Sequence, residues 1–293
     1  MSFDWQNFKV RCSAIGKVMS NSKSNPVLTE LQAETLAKYR AKLEMGGMLT
    51  PKQATEMLAL EEKEKNGSKV ILSDTCIGYL MEEYAWIVEK MIPANKEAIT
   101  NLPAVKKGKI VEGDSMILLS RVDGVLYKTH KPRIYNEFLS GEIDYYAGTD
   151  VMNAEVIVDN KASWDYPIFL KKIHTGLEPG QREQVQGYMD ITGAPLGFIA
   201  NTLVDCPDEI LQDLKWSLAR RLNALTTESP DFLIEWADWE RSLKFGHIAP
   251  NKRVNKIKIE PMTEFELQKL YDRIKTCREW LAQFHESYQK INL

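Results

Sequence analysis

Residues 141–164 read GEIDYYAGTDVMNAEVIVDNKASW and contain two runs that are typical of β-strands. Asp144 closes the first run, and Asp159 stands two residues before Lys161 at the end of the second. Because side chains alternate across a strand, Asp159 and Lys161 project to the same face. The turn-rich residues 148–150 between the runs bring Asp144 beside them. The sequence therefore predicts two carboxylates and one ammonium group in a small volume, which suits a hard cation such as Mg²⁺.

Two more stretches place polar side chains at helical spacing. Glu112 follows Gly108 by four residues and enters a predicted helix on a partly apolar face. A carboxylate in such a place is costly without a partner, so a metal ion or a lysine is expected beside it. Further along, Gln184 and Tyr188 are four residues apart, which puts them one turn apart on one face of a helix.

Together these residues resemble the PD-(D/E)xK nuclease superfamily, in particular its RecB-like and lambda-exonuclease-like branch of the YqaJ type. The resemblance rests on the order Gly-x-x-x-Glu, Asp, acidic-x-Lys and Gln-x-x-x-Tyr. The residues that carry it are, in chain order, Glu112, Asp144, Asp159, Lys161, Gln184 and Tyr188. Two positions depart from the pattern: Ile143 stands where the family name has Pro, and the second acid is Asp instead of the commoner Glu.

The resemblance implies a fold of the α/β (α+β) class, with a restriction-endonuclease-like core. In this core a central mixed β-sheet is flanked by helices, in the minimal order α-β-β-β-α-β. The match is good over residues 105–205 and loose in the flanks. No linker or internal repeat interrupts the chain, so we expect a single nuclease domain over 1–293, with helical additions at 1–104 and 206–293.

The resemblance also implies a chemistry, which is Mg²⁺-dependent hydrolysis of phosphodiester bonds in DNA. One or two ions are expected, and Mn²⁺ is expected to substitute. The implied metal ligands are Glu112, Asp144, Asp159 and the carbonyl of Asn160. Lys161 is expected to orient or help deprotonate the attacking water. Gln184 and Tyr188 are expected to position the metal ligands or the DNA backbone.

Further DNA contacts are expected in two places. Related exonucleases begin with an Arg-x-Ser element, which Arg11 and Ser13 match. The aromatic residues around that element suit a segment that docks on the core equally well. After the catalytic lysine, Ser163 and the aromatic residues and lysines of 164–172 suit contacts to phosphates and unstacked bases. The alternative for this stretch is a rim of the core with surface lysines.

Composition sets the remaining bounds. With 293 residues, 44% of them hydrophobic and 27% charged, the chain has the composition of an ordinary globular protein. Its net charge of -3 indicates no global attraction to nucleic acid, so DNA binding requires local basic patches. The four cysteines, at positions 12, 76, 206 and 277, lack the close grouping of an iron–sulfur site. We therefore expect reduced thiols in a cytosol. No apolar run approaches the ~20 residues of a membrane span, so no membrane association is expected. The family resemblance implies that the cytosol is that of a bacterial host.

The most economical hypothesis is an exonuclease of phage or prophage recombination that acts on linear double-stranded DNA. Its expected partners are duplex ends, a single-strand annealing protein and further copies of itself in a homo-oligomer. Two other classes stay open. One is a restriction-type endonuclease of the same superfamily, and the other is a non-catalytic protein that uses the fold as a DNA-binding scaffold.

Periodicity and turn residues predict the other elements. Helices are expected at 29–43, 181–192 and 229–244, and after the capping residues Thr50, Ser73 and Thr263. Strands are expected at 125–128, 134–145, 195–204 and 252–260, the second of them broken at Ser140 and Gly141. Gly113 weakens the Glu112 helix, and a close approach to a strand or ligand is expected to offset this loss.

Overall fold

The computed structural model describes residues 3–21, 28, 30–66, 72–94 and 99–291. By its internal contacts the chain divides into two compact units. The first, here called the helical unit, comprises Met1–Gln6, Lys17–Val88 and Lys269–Leu293. The second, the sheet unit, comprises Asn7–Gly16 and Glu89–Gln268. The organisation as one nuclease domain stays a prediction. No helix in the described ranges combines the length and the apolar character that crossing a bilayer demands.

The described residues form α-helices, seven strands and short 3-10 turns. The helices are α1 Ile15–Val18, α2 Glu30–Glu44, α3 Pro51–Asn66, α4 Asp74–Glu89, α5 Pro103–Ile110, α6 Glu112–Asp123, α7 Tyr166–Thr175, α8 Gln181–Thr192, α9 Asp208–Arg221, α10 Pro230–Arg241 and α11 Glu264–Ile291. The strands are β1 Val10–Arg11, β2 Ile134–Tyr135, β3 Leu139–Gly141, β4 Tyr145–Gly148, β5 Ala154–Ala162, β6 Leu196–Thr202 and β7 Val254–Ile259.

Two mixed sheets organise the sheet unit. The larger has the order β4-β5-β6-β7, in which β5 and β6 are parallel and the outer pairs are antiparallel. The smaller has the order β1-β3-β2. The chain passes from β5 to β6 through α7 and α8, the helical crossover that a parallel pair requires. This mixed α+β architecture confirms the predicted fold class.

The larger sheet is covered by a helix on each face. Leu119 of α6 packs in one cluster with Val158 and Ala200. Val185 and Met189 of α8 pack in another with Ile199. Side chains alternate along β5, so Asp159 and Val158 lie on opposite faces of the sheet. Asp159 lies on the face that α8 covers. The alternation thus directs the carboxylate of Asp159 toward α8.

The capped helices agree with the sequence. Thr50 and Gln53 form the predicted capping box, with bonds of 3.1 and 3.3 Å between the side chain of each and the main-chain N–H of the other. Ser73 Oγ accepts a bond of 3.1 Å from the N–H of Cys76. Thr263 and Glu266 repeat the box at α11. Helix α8 and strands β6 and β7 also lie where the periodicity predicts them.

Three local predictions were wrong. Residues 125–128 form no described strand and contribute one bridge, between Lys128 and Tyr146. The run 134–145 is broken, but not at Ser140 and Gly141, which lie within β3. Its first break follows Asn136, whose side chain accepts bonds from the N–H groups of Phe138 and Leu139 and turns the chain. Asp144 precedes β4 instead of closing a strand.

Helix α7 was not anticipated from the pattern of aromatic residues and lysines. Its start is nevertheless encoded locally, since Oδ1 of Asp165 accepts a bond of 2.8 Å from the N–H of Ile168 and a proline occupies the first turn.

Candidate active site

Asp144 is placed by the pairing of two strands. Antiparallel pairing puts Tyr145 opposite Val158, so the residue before β4 reaches the end of β5. There, Oδ2 of Asp144 accepts a bond of 2.8 Å from the main-chain N–H of Asn160. The carboxylate is therefore fixed to the same strand that carries Asp159 and Lys161.

Asp159 is held from two sides and is 1% exposed. Its Oδ1 accepts a bond of 2.8 Å from Nε2 of Gln184 on α8, and its Oδ2 lies 2.7 Å from Nζ of Lys161. Nε2 of Gln184 also donates to the hydroxyl of Tyr188 at 2.8 Å. The predicted Gln-x-x-x-Tyr pair thus lies on one face of α8 and holds the carboxylate of Asp159 in place.

Glu112 is the first residue of α6. Its carboxylate lies 2.6 Å from Nζ of Lys131, and its main-chain carbonyl accepts a bond of 2.6 Å from the hydroxyl of Tyr145. A lysine is one of the two partners expected for this carboxylate. Lys131 itself had not been singled out, because it lies in an irregular stretch where spacing carries no signal.

These groups line one cavity of about 310 Å³. The predicted residues that line it are Glu112, Asp144, Asp159, Asn160, Lys161 and Gln184. Lys109 of α5 and Lys172 of α7 add two more basic residues to the same wall. The net charge of the chain is negative, yet this cavity carries the local basic groups that contact with a phosphate backbone requires.

Burial and like charge perturb the acids in the cavity. Burial, followed by the charge of Asp159, raises the pKa of Asp144 to about 7, although the N–H of Asn160 and the ammonium of Lys161 oppose the shift. Burial also raises the pKa of Asp159, despite its ion pair with Lys161. Burial lowers the pKa of Lys161, but the ion pair with Asp159 outweighs it and leaves that pKa above its ordinary value. The site therefore favours the approach of an additional cation.

The donor set fits a hard divalent cation by its chemistry. Carboxylate oxygens are the ligands that such ions prefer, and Oδ2 of Asp159 accepts no well-directed hydrogen bond in the described part of the chain. As the side chains stand, no three His, Cys, Asp or Glu residues among those described converge tightly enough to hold an ion. Lysines engage both Glu112 and Asp159.

The three other predicted contact residues are not among those that line the cavity. Arg11 is half-buried in β1, and Ser13 is exposed in the 3-10 turn Cys12–Ala14. Ser163 follows β5, is buried, and does not present its hydroxyl to solvent. Trp5 and Phe8 are buried as well, as the docking alternative for the N-terminal segment requires.

No protein-family model and no curated protein matches this chain. Among solved structures it is similar to a phage-related exonuclease from Haemophilus somnus 129PT, with a TM-score of 0.59 and 18% identity over 96% of this chain and 97% of that one. The chain has the fold of this exonuclease.

A second match extends the likeness. The alkaline exonuclease from Laribacter hongkongensis shares the exonuclease fold with a TM-score of 0.52 and 11% identity, over 98% of this chain and 96% of that one. The structure of the same enzyme in complex with dAMP matches over 99% of this chain, again with a TM-score of 0.52. The likeness runs over nearly the full length of both partners, and it agrees with the resemblance to the PD-(D/E)xK superfamily.

Proposed function

We propose that this protein is a metal-dependent deoxyribonuclease that degrades linear double-stranded DNA from its ends. The observation that supports this most directly is the common cavity of Glu112, Asp144, Asp159 and Lys161 on a fold shared with exonucleases. A cluster of acids that would face phosphates is unfavourable for a simple DNA-binding scaffold, whereas a hydrolase needs it to hold a cation.

The reaction is hydrolysis of a phosphodiester bond. Glu112, Asp144 and Asp159, with the carbonyl of Asn160, would hold one or two Mg²⁺ ions, and Mn²⁺ would be accepted by the same oxygen ligands. When bound, the ion neutralises phosphate charge and makes hydroxide accessible near neutral pH.

Lys161 has the central role among the residues of this chain. Its ammonium lies 2.7 Å from Asp159, on the cavity wall, and its side chain is 31% exposed, so it can reach both substrate and water. It would orient the attacking water and offset the negative charge that develops on phosphorus. Gln184 and Tyr188 keep Asp159 in the orientation that this requires.

The biological setting completes the proposal. We expect a role in phage or prophage recombination in the cytoplasm of a bacterial host, beside a single-strand annealing protein and as a homo-oligomer. Arg11, Ser13 and Ser163 stay candidates for DNA contact or for support of the site, and Ser163 would act through its main chain because its side chain is buried.

The test is a time course on end-labelled linear duplex DNA with Mg²⁺, with Mn²⁺ and with EDTA. We expect release of short products that begins at the labelled end and requires the divalent ion. Covalently closed circular DNA of the same sequence serves as the matched substrate and should stay intact.

The same assay separates the alternatives. Cleavage of closed circles into discrete fragments would favour a restriction-type endonuclease. Binding of DNA without cleavage of either substrate, by wild type and Lys161→Ala alike, would favour the non-catalytic scaffold.

A further inference from the structure

Lys107 is a buried lysine to which the proposed reaction gives no role. It lies on α5 and is 1% exposed. Its ammonium donates bonds of 2.9 Å to the main-chain carbonyl of Ser163 and 2.9 Å to that of Trp164. The rings of Trp164 and Phe245 lie 5.9 and 5.2 Å from the same nitrogen.

An ammonium group in such surroundings is costly to bury. Burial lowers the pKa of Lys107 to about 8, although the charges of Asp205 and Asp165 oppose this shift. A neutral side chain of similar length would avoid the cost of desolvation, but it would leave two carbonyl groups without these donors. The two carbonyl groups that accept these bonds show which part of the chain the ammonium of Lys107 holds.

Both carbonyls stand directly after the catalytic strand. Ser163 and Trp164 follow Lys161 by two and three residues, and the N–H of Ser163 donates to the carbonyl of Thr202 at 2.8 Å. Asp165 then caps α7. The ammonium of Lys107 therefore holds the point where β5 ends and the chain turns into the helix that brings Lys172 to the cavity.

The main chain of Lys107 holds the other half of the site. Its carbonyl accepts a bond of 3.0 Å from the N–H of Val111, at the junction between α5 and α6. The next residue is Glu112, whose carboxylate lines the cavity. Through its main-chain carbonyl and its side-chain ammonium, Lys107 connects the junction before Glu112 to the end of the strand that carries Asp159 and Lys161.

We propose that Lys107 is a positioning residue that sets the distance between Glu112 and the Asp159–Lys161 pair by tying the α5–α6 junction to the end of β5. The proposal rests on the proposed nuclease function. It concerns geometry alone, since Lys107 is not among the residues that line the cavity.

The test compares Lys107→Met with Lys106→Met. The two changes remove the same charge from adjacent residues of α5, but the side chain of Lys106 is exposed. Hydrogen exchange followed by mass spectrometry should show faster exchange at 111–115 and at 160–166 in Lys107→Met and no change in Lys106→Met. On linear duplex DNA, kcat should fall about tenfold to hundredfold in Lys107→Met, as small displacements in active sites do, with KM within about twofold. The Mg²⁺ concentration for half-maximal activity should rise, and calorimetry of the DNA-free protein should show the same weakening of metal binding.

Lys107→Arg provides the conservative variant, because a guanidinium group can donate to two carbonyls. It should recover part of the lost kcat while exchange at 160–166 returns toward wild type. If Lys107→Met speeds exchange but keeps wild-type kcat and metal affinity per folded molecule, the lysine has only a structural role and the proposal fails. Failure of the nuclease function would be seen separately, in a wild-type protein that cleaves no DNA.

Discussion

The main-chain N–H of Asn160 donates a 2.8 Å hydrogen bond to Oδ2 of Asp144. This bond joins the residue before β4 to the C-terminal part of β5, and it satisfies one oxygen of the Asp144 carboxylate. Burial raises the pKa of that carboxyl group to about 7. The charge of the nearby Asp159 contributes to that rise, so a cation between the two carboxylates would be favourable.

Replacement of Lys161 by alanine should abolish most cleavage while it preserves the fold and DNA binding. The ammonium is the group expected to act on water and on the transition-state charge, and loss of such a group lowers rates by about 10² to 10⁴. Mg²⁺-dependent degradation of linear duplex is the measurement, with Lys38→Ala, a change at a side chain that is 75% exposed, as the control. Full activity in Lys161→Ala would show that Lys161 does not have the proposed role in cleavage.

Asp144→Asn should weaken metal binding more than it weakens the fold. The amide oxygen can still accept the bond from Asn160, but the negative charge is gone, and a hard cation prefers the carboxylate. We expect at least a tenfold lower affinity for Mg²⁺ or Mn²⁺ by calorimetry. Asp238→Asn, at a side chain that is 76% exposed, is the control, and equal affinities in the two variants would argue against Asp144 as a ligand.

Gln184→Leu and Tyr188→Phe should differ in severity. Leucine leaves the buried Oδ1 of Asp159 without its donor, and changes of this kind next to metal ligands lower affinity or activity about 10-fold to 100-fold. Phenylalanine keeps the bond between Gln184 and Asp159, so the loss of cleavage should stay below about threefold. The measurement is kcat on linear duplex, and a larger effect in Tyr188→Phe would show that the hydroxyl acts on its own.

Stability at alkaline pH should reveal the charge on Lys107. The pKa of this lysine falls from its ordinary 10.5 to about 8 in the folded protein. Between these values the unfolded chain binds more protons than the folded one, so this group makes stability rise as pH rises from about 8 to 10.5. In urea unfolding experiments, the free energy of unfolding of the wild type should therefore rise relative to that of Lys107→Met from about pH 8 to 10.5. A constant difference between the two proteins would contradict the shift.

Two glycines should respond in opposite ways to alanine. A Cβ at Gly113 meets no atom of the described chain within 4 Å, so the expected close approach to a strand was wrong, and Gly113→Ala should stabilise α6 by about 0.4–1 kcal/mol. A Cβ at Gly141 would lie 2.5 Å from Cε1 of the buried Tyr188, so Gly141→Ala should destabilise by about 1–3 kcal/mol. The measurement is thermal unfolding of both variants. The unfolding midpoint of Gly113→Ala should lie above that of the wild type, and the midpoint of Gly141→Ala should lie below it.

The sequence by itself determined the helix caps and the identity of the central strand, and its resemblance to a nuclease family indicated which polar side chains meet at the cavity. The caps, the strand and the faces that side chains share depend on local rules, namely alternation along a strand, four-residue spacing on a helix and hydrogen bonds between near neighbours. Asp159, Lys161, Gln184 and Tyr188 could be assigned to common faces for that reason.

Only the tertiary structure decided which groups neutralise the acids and what holds the elements in place. Lys131 and Lys107 meet Glu112 and Ser163 across 19 and 56 positions of sequence. Asp144 reaches the site from the residue before β4, because β4 pairs with β5 and sets Tyr145 opposite Val158. Such contacts depend on how distant segments pack, and no periodicity within either segment encodes them.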